Sequence, residues 1–268
     1  MTKPPQKSHG RISVTASHKP RALMDGPPRL KGVWTANVLT LFPEAFPGVL
    51  GNSLTGKALS DGLWALNTLN LRDYGIGRHR QVDDKPAGGG PGLVMRADVL
   101  GPAIETVLAD IQPDAARWPR IYLSPRGMPF TQSLARDWAQ ADGLTLLCGR
   151  FEGVDQRVID YYQLVEVSLG DFVLTGGEIA AQAMLDATVR LIPGVLGNAA
   201  STQNESFSSG TLEYPQYTQP RGWNGHDIPK VLLSGNHQEI ARWRQEQAED
   251  LTKRRRPDLW ARRHDDKT

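Results

Sequence analysis

The stretch Val165-Glu-Val-Ser-Leu-Gly-Asp-Phe-Val-Leu-Thr-Gly-Gly-Glu178 sets three glycines and one acid, Asp171, between a β-like run ending at Ser168 and a helical pattern beginning near Gly177. Glycine reaches positive φ without steric penalty, so such a turn lets the main chain approach a ligand closely. A glycine-rich loop between strand and helix is where α/β proteins hold small molecules. Two upstream turns have the same form. Arg120-Ile-Tyr-Leu-Ser124 ends in Pro125-Arg-Gly127, and Leu144-Thr-Leu-Leu-Cys148 ends in Gly149-Arg-Phe-Glu-Gly153. Three such turns at three strand ends are a stronger signal of a ligand site than any one of them.

Other residues with chemical potential are less decisive. Gly51-Asn-Ser-Leu-Thr-Gly-Lys57 nearly spells a phosphate-binding P-loop, but Ala58 stands where a hydroxyl should hold magnesium. The reading as a P-loop nucleotide hydrolase is disfavoured on that ground. Arg72, Arg78, His79, Arg80 and Lys85 form a basic cluster beside Gly88, Gly89, Gly90 and Gly92, which suits either a solvated loop or phosphate contacts under a closing flap. Asp83-Asp84 lacks a nearby His or third acid and reads as a turn. Glu178, Gln182, Asp186 and Arg190 recur at i+4 and line one helix face, with Ile179, Ala183, Ala187 and Leu191 as a second stripe. The spacing favours a solvated face with Arg190 near the helix C-terminus. The alternative is Arg190 as an anion or carbonyl contact at the cleft edge.

The elements that must position these residues alternate. Strands at Val38–Phe42, Arg120–Ser124, Leu144–Cys148 and Leu164–Ser168, with helices near Pro43, over 98–110, around Leu134 and Trp138, and over 177–192, predict a parallel α/β sheet whose ligands sit beyond the strand C-termini. Residues 1–32 read as a flexible basic tail, 33–197 as the ligand-binding domain, 198–212 as a linker or flap with Glu205 as the acid of its Asn198–Gly210 run, and 213–268 as a small helical domain. In the last, Asn236 caps a helix with Ile240, Trp243 and Leu251 on one stripe, and Lys253–Arg256 with Trp260 makes a basic, aromatic-flanked patch. The net charge of +2 conceals basic ends: residues 1–32 carry seven Lys/Arg against one acid, whereas 33–236 carry 15 against 21. A polyanionic partner would therefore need local basic patches. One Cys excludes a disulfide framework and a Cys-built zinc site, and no apolar run suits a membrane span or a signal-peptide core. The expectation is a soluble cytoplasmic protein.

The motifs Leu41-Phe-Pro-Glu44, Arg78-His79, Val82-Asp-Asp84, Gly88-Gly-Gly-Pro-Gly92, Leu123-Ser-Pro125, Cys148-Gly-Arg-Phe-Glu-Gly153, Gly170-Asp-Phe-Val-Leu-Thr-Gly-Gly-Glu178, Arg190-Leu-Ile-Pro-Gly-Val-Leu-Gly197, Glu205-Ser-Phe207, Tyr217-Thr218 and Leu233-Ser-Gly-Asn-His237 occur in this order. In that order they resemble the bacterial tRNA (guanine-N1-)-methyltransferases of the TrmD family, from Val33 to Leu259. The resemblance implies a SPOUT-type parallel sheet with a deep trefoil knot, a homodimer, and methyl transfer from S-adenosylmethionine to N1 of the guanosine immediately 3′ of the tRNA anticodon. It further implies that Tyr122, Leu123, Ser124 and Pro125, then Gly149, Arg150 and Glu152, then Leu169, Gly170, Asp171, Phe172, Val173, Leu174, Gly176 and Gly177 bind the donor. Glu205 takes the general-base position and Arg190 the charge-stabilising position, with magnesium and Glu152 also implicated and the metal ligands unassigned. The C-terminal domain would grip tRNA. The chain departs from the resemblance at Gln219, where many relatives have Arg, and at Ala87, where an aromatic is common. A non-catalytic RNA-binding scaffold is a rival reading, opposed by the intact glycine loops, Arg190 and Glu205.

Overall fold

In the computed structural model, residues 32–109, 111, 116–197 and 205–265 are described. The tail over 1–31, the 198–204 part of the flap and Asp110 lie outside them. The chain runs β1 (Trp34–Thr40), a 3-10 turn at Pro43–Ala45, a second at Gly48–Gly51, α1 (Ser53–Ser60), β2 (Trp64–Asn70), β3 (Asp83–Asp84), β4 (Val94–Met95), α2 (Ala97–Leu108) and β5 (Arg120–Pro129). It continues through α3 (Gln132–Gln140), β6 (Gly143–Cys148), α4 (Gln156–Tyr162), β7 (Val165–Ser168) and α5 (Glu178–Val189), then the hairpin β8 (Gly222–Trp223) and β9 (His226–Asp227), and finally α6 (His237–Arg255) and α7 (Pro257–Asp265).

Five strands form a sheet in the order β2-β1-β6-β5-β7, every pairing parallel. Every residue of β1 and β6 is buried. That burial on both faces is what a parallel sheet covered by crossover helices requires. One core joins Ala36, Val38, Leu144 and Leu146 to Trp138 of α3 and to Met184 and Leu185 of α5. The other joins Leu39 and Leu147 to Leu100 and Ile104 of α2 and to Val158 and Ile159 of α4. The predicted α/β parallel sheet is present. β2 is an addition to it, and the helix expected at Pro43 is only a 3-10 turn. The P-loop look-alike is helical: Lys57 sits within α1 and pairs with Asp61 one turn on. Asp83-Asp84 forms a strand, with Asp84 3.1 Å from Arg96.

The sheet departs from regularity where the chemistry is expected. β5 pairs with β7 up to Leu123 and again from Met128, so Ser124–Gly127 bulges out of the ladder. Pro125 has no N–H to contribute to a ladder. Gly127 is pressed onto β7, where a Cβ would come within 2.3 Å of the Val167 nitrogen. Side chains cap the neighbouring helices: Thr131 accepts from the Leu134 N–H and Asp155 from the Arg157 N–H.

Downstream, residues 205–214 are strapped to α6. Thr252 is fully buried, accepts a hydrogen bond from the Leu212 N–H at 2.9 Å and donates to the Ala248 carbonyl at 2.7 Å. Thr252→Val keeps the shape but strands the Leu212 N–H, a loss of about 1–3 kcal/mol for an unsatisfied buried donor. A thermal melt should show a lower midpoint with the α6 helicity retained. An unchanged midpoint would mean that the strap does not stabilise the fold. As read from sequence, Asn236 caps α6, accepting from the Gln238 and Glu239 N–H groups.

Candidate active site

The three bulged or glycine-bearing strand ends meet. The bulge within β5 and the turns after β6 and β7 enclose one cleft of about 290 Å³. Of the fifteen residues assigned to donor binding, all line it except Gly170 and Asp171. Those two belong to the same turn but not to the wall. Ser168 Oγ donates to the Gly170 carbonyl and accepts from its N–H, a tight local turn that leaves Asp171 exposed. The sequence singles out Asp171 as the acid of this loop, whereas the acid at the cleft is Glu152.

The loops hold one another. Gly177 N–H donates to the Gly149 carbonyl at 3.0 Å, and Arg150 and Gly176 form a bridge. A Cβ at Gly176 would fall 2.1 Å from Arg150 Nε, so a larger residue there would displace the Arg150 side chain. Behind them lies Glu178, only 4 % exposed. It accepts hydrogen bonds from Thr40 Oγ1 at 2.7 Å and Arg150 Nε at 3.0 Å. The i+4 stripe from Glu178 to Arg190 is therefore not a solvated face. Glu178 is buried, Gln182 donates to the Ala45 carbonyl, and Asp186 alone of the four is exposed. The neighbouring stripe is the outward one, with Ile179 62 % exposed.

Tyr122 closes the inner wall, and burial raises its hydroxyl pKa. Cys148 is fully buried, which pushes its thiol well above the ordinary value and keeps it out of nucleophilic chemistry. Leu93 and Glu152 join the glycine flap to the cleft: the Glu152 N–H donates to the Leu93 carbonyl at 2.9 Å, and a Cβ on Gly92 would meet the Glu152 side chain. In the basic cluster beside that flap, Arg80 is paired with Asp73 at 2.9 Å.

Arg190 and Glu205 are not in this cleft but are in contact with each other. Two guanidinium nitrogens donate to the two carboxylate oxygens, at 2.6 and 2.5 Å. The hydrogen bond from Arg190 holds Glu205 below its ordinary pKa, Arg136 adding a smaller attraction, and Glu205 raises Arg190 in return. Arg136 of α3 also donates to Ser208 at 3.2 Å, fastening the Glu205 loop to the sheet domain. Glu205 opens on a second hollow, of about 370 Å³, against α6. Around that hollow and on α6 and α7, cations lie over rings: Arg244 over Tyr214 at 4.9 Å, Lys253 over Trp260 at 4.5 Å, and Arg256 over Phe207 at 5.9 Å. The aromatic-flanked basic patch is present, with Arg256 also paired to Asp258.

Among the described residues no group of three or more His, Cys, Asp or Glu side chains could hold a metal ion. Glu152 is therefore not part of a ready-made cluster of metal-ligating side chains. No helix among them is long and apolar enough to cross a membrane.

Residues 34–262 match a family described as tRNA (Guanine-1)-methyltransferase TrmD. A Cereibacter sphaeroides protein is 68 % identical over 231 residues, 86 % of this chain and 93 % of its own length. One from Ruegeria pomeroyi is 65 % identical over 235 residues, 88 % and 96 % of the two chains. One from Rhodopseudomonas palustris is 59 % identical over 230 residues, 86 % and 91 % of the two. Each of the three relatives bears the name tRNA (guanine-N(1)-)-methyltransferase.

Proposed function

The chain belongs to the tRNA (guanine-N1-)-methyltransferase family, and from that premise we propose that it methylates N1 of the guanosine immediately 3′ of the tRNA anticodon, using S-adenosylmethionine. The observation that carries the reading is the convergence of three strand-end loops on one cleft in a chain of this family. The cleft fits the donor in kind. Its volume is close to the lower end of the range for small-molecule sites, about 300–1,000 Å³. It offers an aromatic and aliphatic wall of Tyr122, Leu169, Phe172 and Leu174, and main-chain groups from three turns.

When bound, the donor supplies an electrophilic methyl group on a sulfonium. The chain's residues supply the rest. The N1 proton of guanine is weakly acidic, so a carboxylate must take it as N1 attacks, and Glu205 has that role. Arg190 faces the negative charge that develops toward O6. In the tRNA-free chain these two groups satisfy each other, so guanine O6 takes over the guanidinium while N1–H meets the released carboxylate. No step is routed through magnesium.

Arg190 and Glu205 lie outside the donor cleft of their own chain, and α5 turns Ile179 outward near Val49, itself 65 % exposed. We read these facts as one arrangement, a homodimer in which the Arg190–Glu205 pair of one copy serves the cleft of the other. The trefoil knot belongs to the same reading. After β7 at the sheet edge, the 169–177 segment passes against the loop after β6 before α5 packs on β1 and β6. Residues 213–268, with their cation–ring pairs, are the tRNA-gripping part of a cytoplasmic enzyme.

Incubating the purified protein with labelled S-adenosylmethionine and unmodified tRNA should place label on that guanine, and on no tRNA with another base there. tRNA binding without transfer would favour the non-catalytic scaffold, and absence of transfer under all conditions would defeat the methyltransferase reading.

A further inference from the structure

Two arginines of the cleft wall are ion-paired, Arg126 with Glu166 and Arg150 with Glu178, and the second acid is the buried one, unused by the proposed reaction. Glu178 is the first residue of α5, where the helix N-terminus favours negative charge. Its carboxylate is nearly enclosed and takes Thr40 Oγ1 at 2.7 Å, Arg150 Nε at 3.0 Å and Arg150 Nη2 at 2.8 Å. Arg150 retains 24 % of its side-chain exposure and lines the cleft. Its guanidinium lies 4.4 Å over the ring of Phe42, and Nη1 donates to the Thr175 carbonyl at 3.3 Å. One arginine thus ties the turn after β6 to the turn after β7 and to the end of β1, and one buried acid holds it there.

We propose that Glu178 is a positioning residue that fixes Arg150 and cancels its charge in the wall of the donor cleft, so that a cationic methyl donor can bind. The proposal rests on the donor reading given above. S-adenosylmethionine carries a sulfonium, whereas its demethylated product, S-adenosylhomocysteine, has a neutral thioether. An unpaired guanidinium in the wall disfavours the first without disfavouring the second. At an effective dielectric of ~20, repulsion between two unit charges at close range changes affinity by about tenfold or more. A purely structural role for Glu178 would weaken both ligands alike.

Calorimetric binding of both ligands to the full chain tests this at pH 8. E178Q should lose about tenfold or more in affinity for S-adenosylmethionine relative to S-adenosylhomocysteine. E178D, which keeps the charge, should restore the ratio, and the double variant E178Q/R150Q should return it to the wild-type value even if both ligands bind more weakly. Equal weakening of the two ligands in E178Q, or a ratio unrestored in the double variant, overturns the proposal. If E178Q does not fold, R150Q alone carries the test. It leaves the acid unpaired and should shift the ratio the other way, toward the cationic ligand, and an unchanged ratio overturns the proposal. Failure of the wild-type protein to bind either ligand would instead defeat the donor reading on which the proposal rests.

Discussion

Glu205→Gln slows methyl transfer by about a hundred- to ten-thousand-fold, the range for losing a positioned general base. Affinity for S-adenosylmethionine stays at the wild-type level, because Glu205 does not line the donor cleft. The amide keeps the size of the side chain and one oxygen to accept from Arg190, so the Glu205 loop keeps its place, its Ser208 still held by Arg136. What it loses is the capacity to accept the N1 proton. Single-turnover methylation with tRNA in excess measures the chemical step, and calorimetry measures donor binding separately. Glu205→Asp retains the carboxylate one methylene shorter. It should recover part of the rate, which a merely structural role for Glu205 would not predict. Loss of donor binding in Glu205→Gln, or an unaltered rate, would remove Glu205 from the base position.

How much of this is legible in a sequence depends on the range of the physics involved. The breaks in the sheet are legible because turn chemistry is local: Pro125 and Gly127 interrupt the β5 ladder as a bulge, and Gly149 follows the last residue of β6. Their convergence also follows, since a parallel sheet puts all of its strand C-termini on one edge. β2 is not legible. Trp64-Ala-Leu-Asn-Thr-Leu-Asn70 carries two asparagines, poor strand formers, and its pairing with β1 is a tertiary contact from Trp34↔Trp64 to Thr40↔Asn70. Periodicity likewise groups Glu178 with Arg190 on one face of α5, but it assigns a face and not a depth. That stripe runs from a nearly enclosed carboxylate to a guanidinium that is 29 % exposed. The role of Glu178 depends on Thr40 and Arg150, neither of them near it in the chain. Glycine at 176 is the one local trace of the contact, and it signals close approach without naming what approaches.

Arg190→Ala should cost about a hundred- to thousand-fold in kcat, as removal of a donor to a developing oxyanion does, and it should also move the pH profile. Methylation needs Glu205 ionised, so activity falls as pH drops through its pKa. In the wild-type chain the Arg190 hydrogen bond holds that pKa below the ordinary 4.5, with Arg136 assisting. The acid limb of kcat/KM, which reports the free enzyme, therefore lies below the usual carboxylate range. Without Arg190 the hydrogen bond and its attraction are gone, while the desolvation that raises Glu205 persists in part, so the limb moves upward. Stability follows the same sign. A depressed folded-state pKa stabilises the fold above the unfolded value and ceases to do so as pH falls through the folded one. The melting difference between wild type and Arg190→Ala should hence be full at neutral pH and shrink in acid. Arg190→Lys separates charge from geometry: one ammonium cannot span both carboxylate oxygens as the guanidinium fork does. It should keep part of the pKa depression and regain part of the rate. An acid limb at the same pH in all three proteins would mean that the proton acceptor is a group other than Glu205.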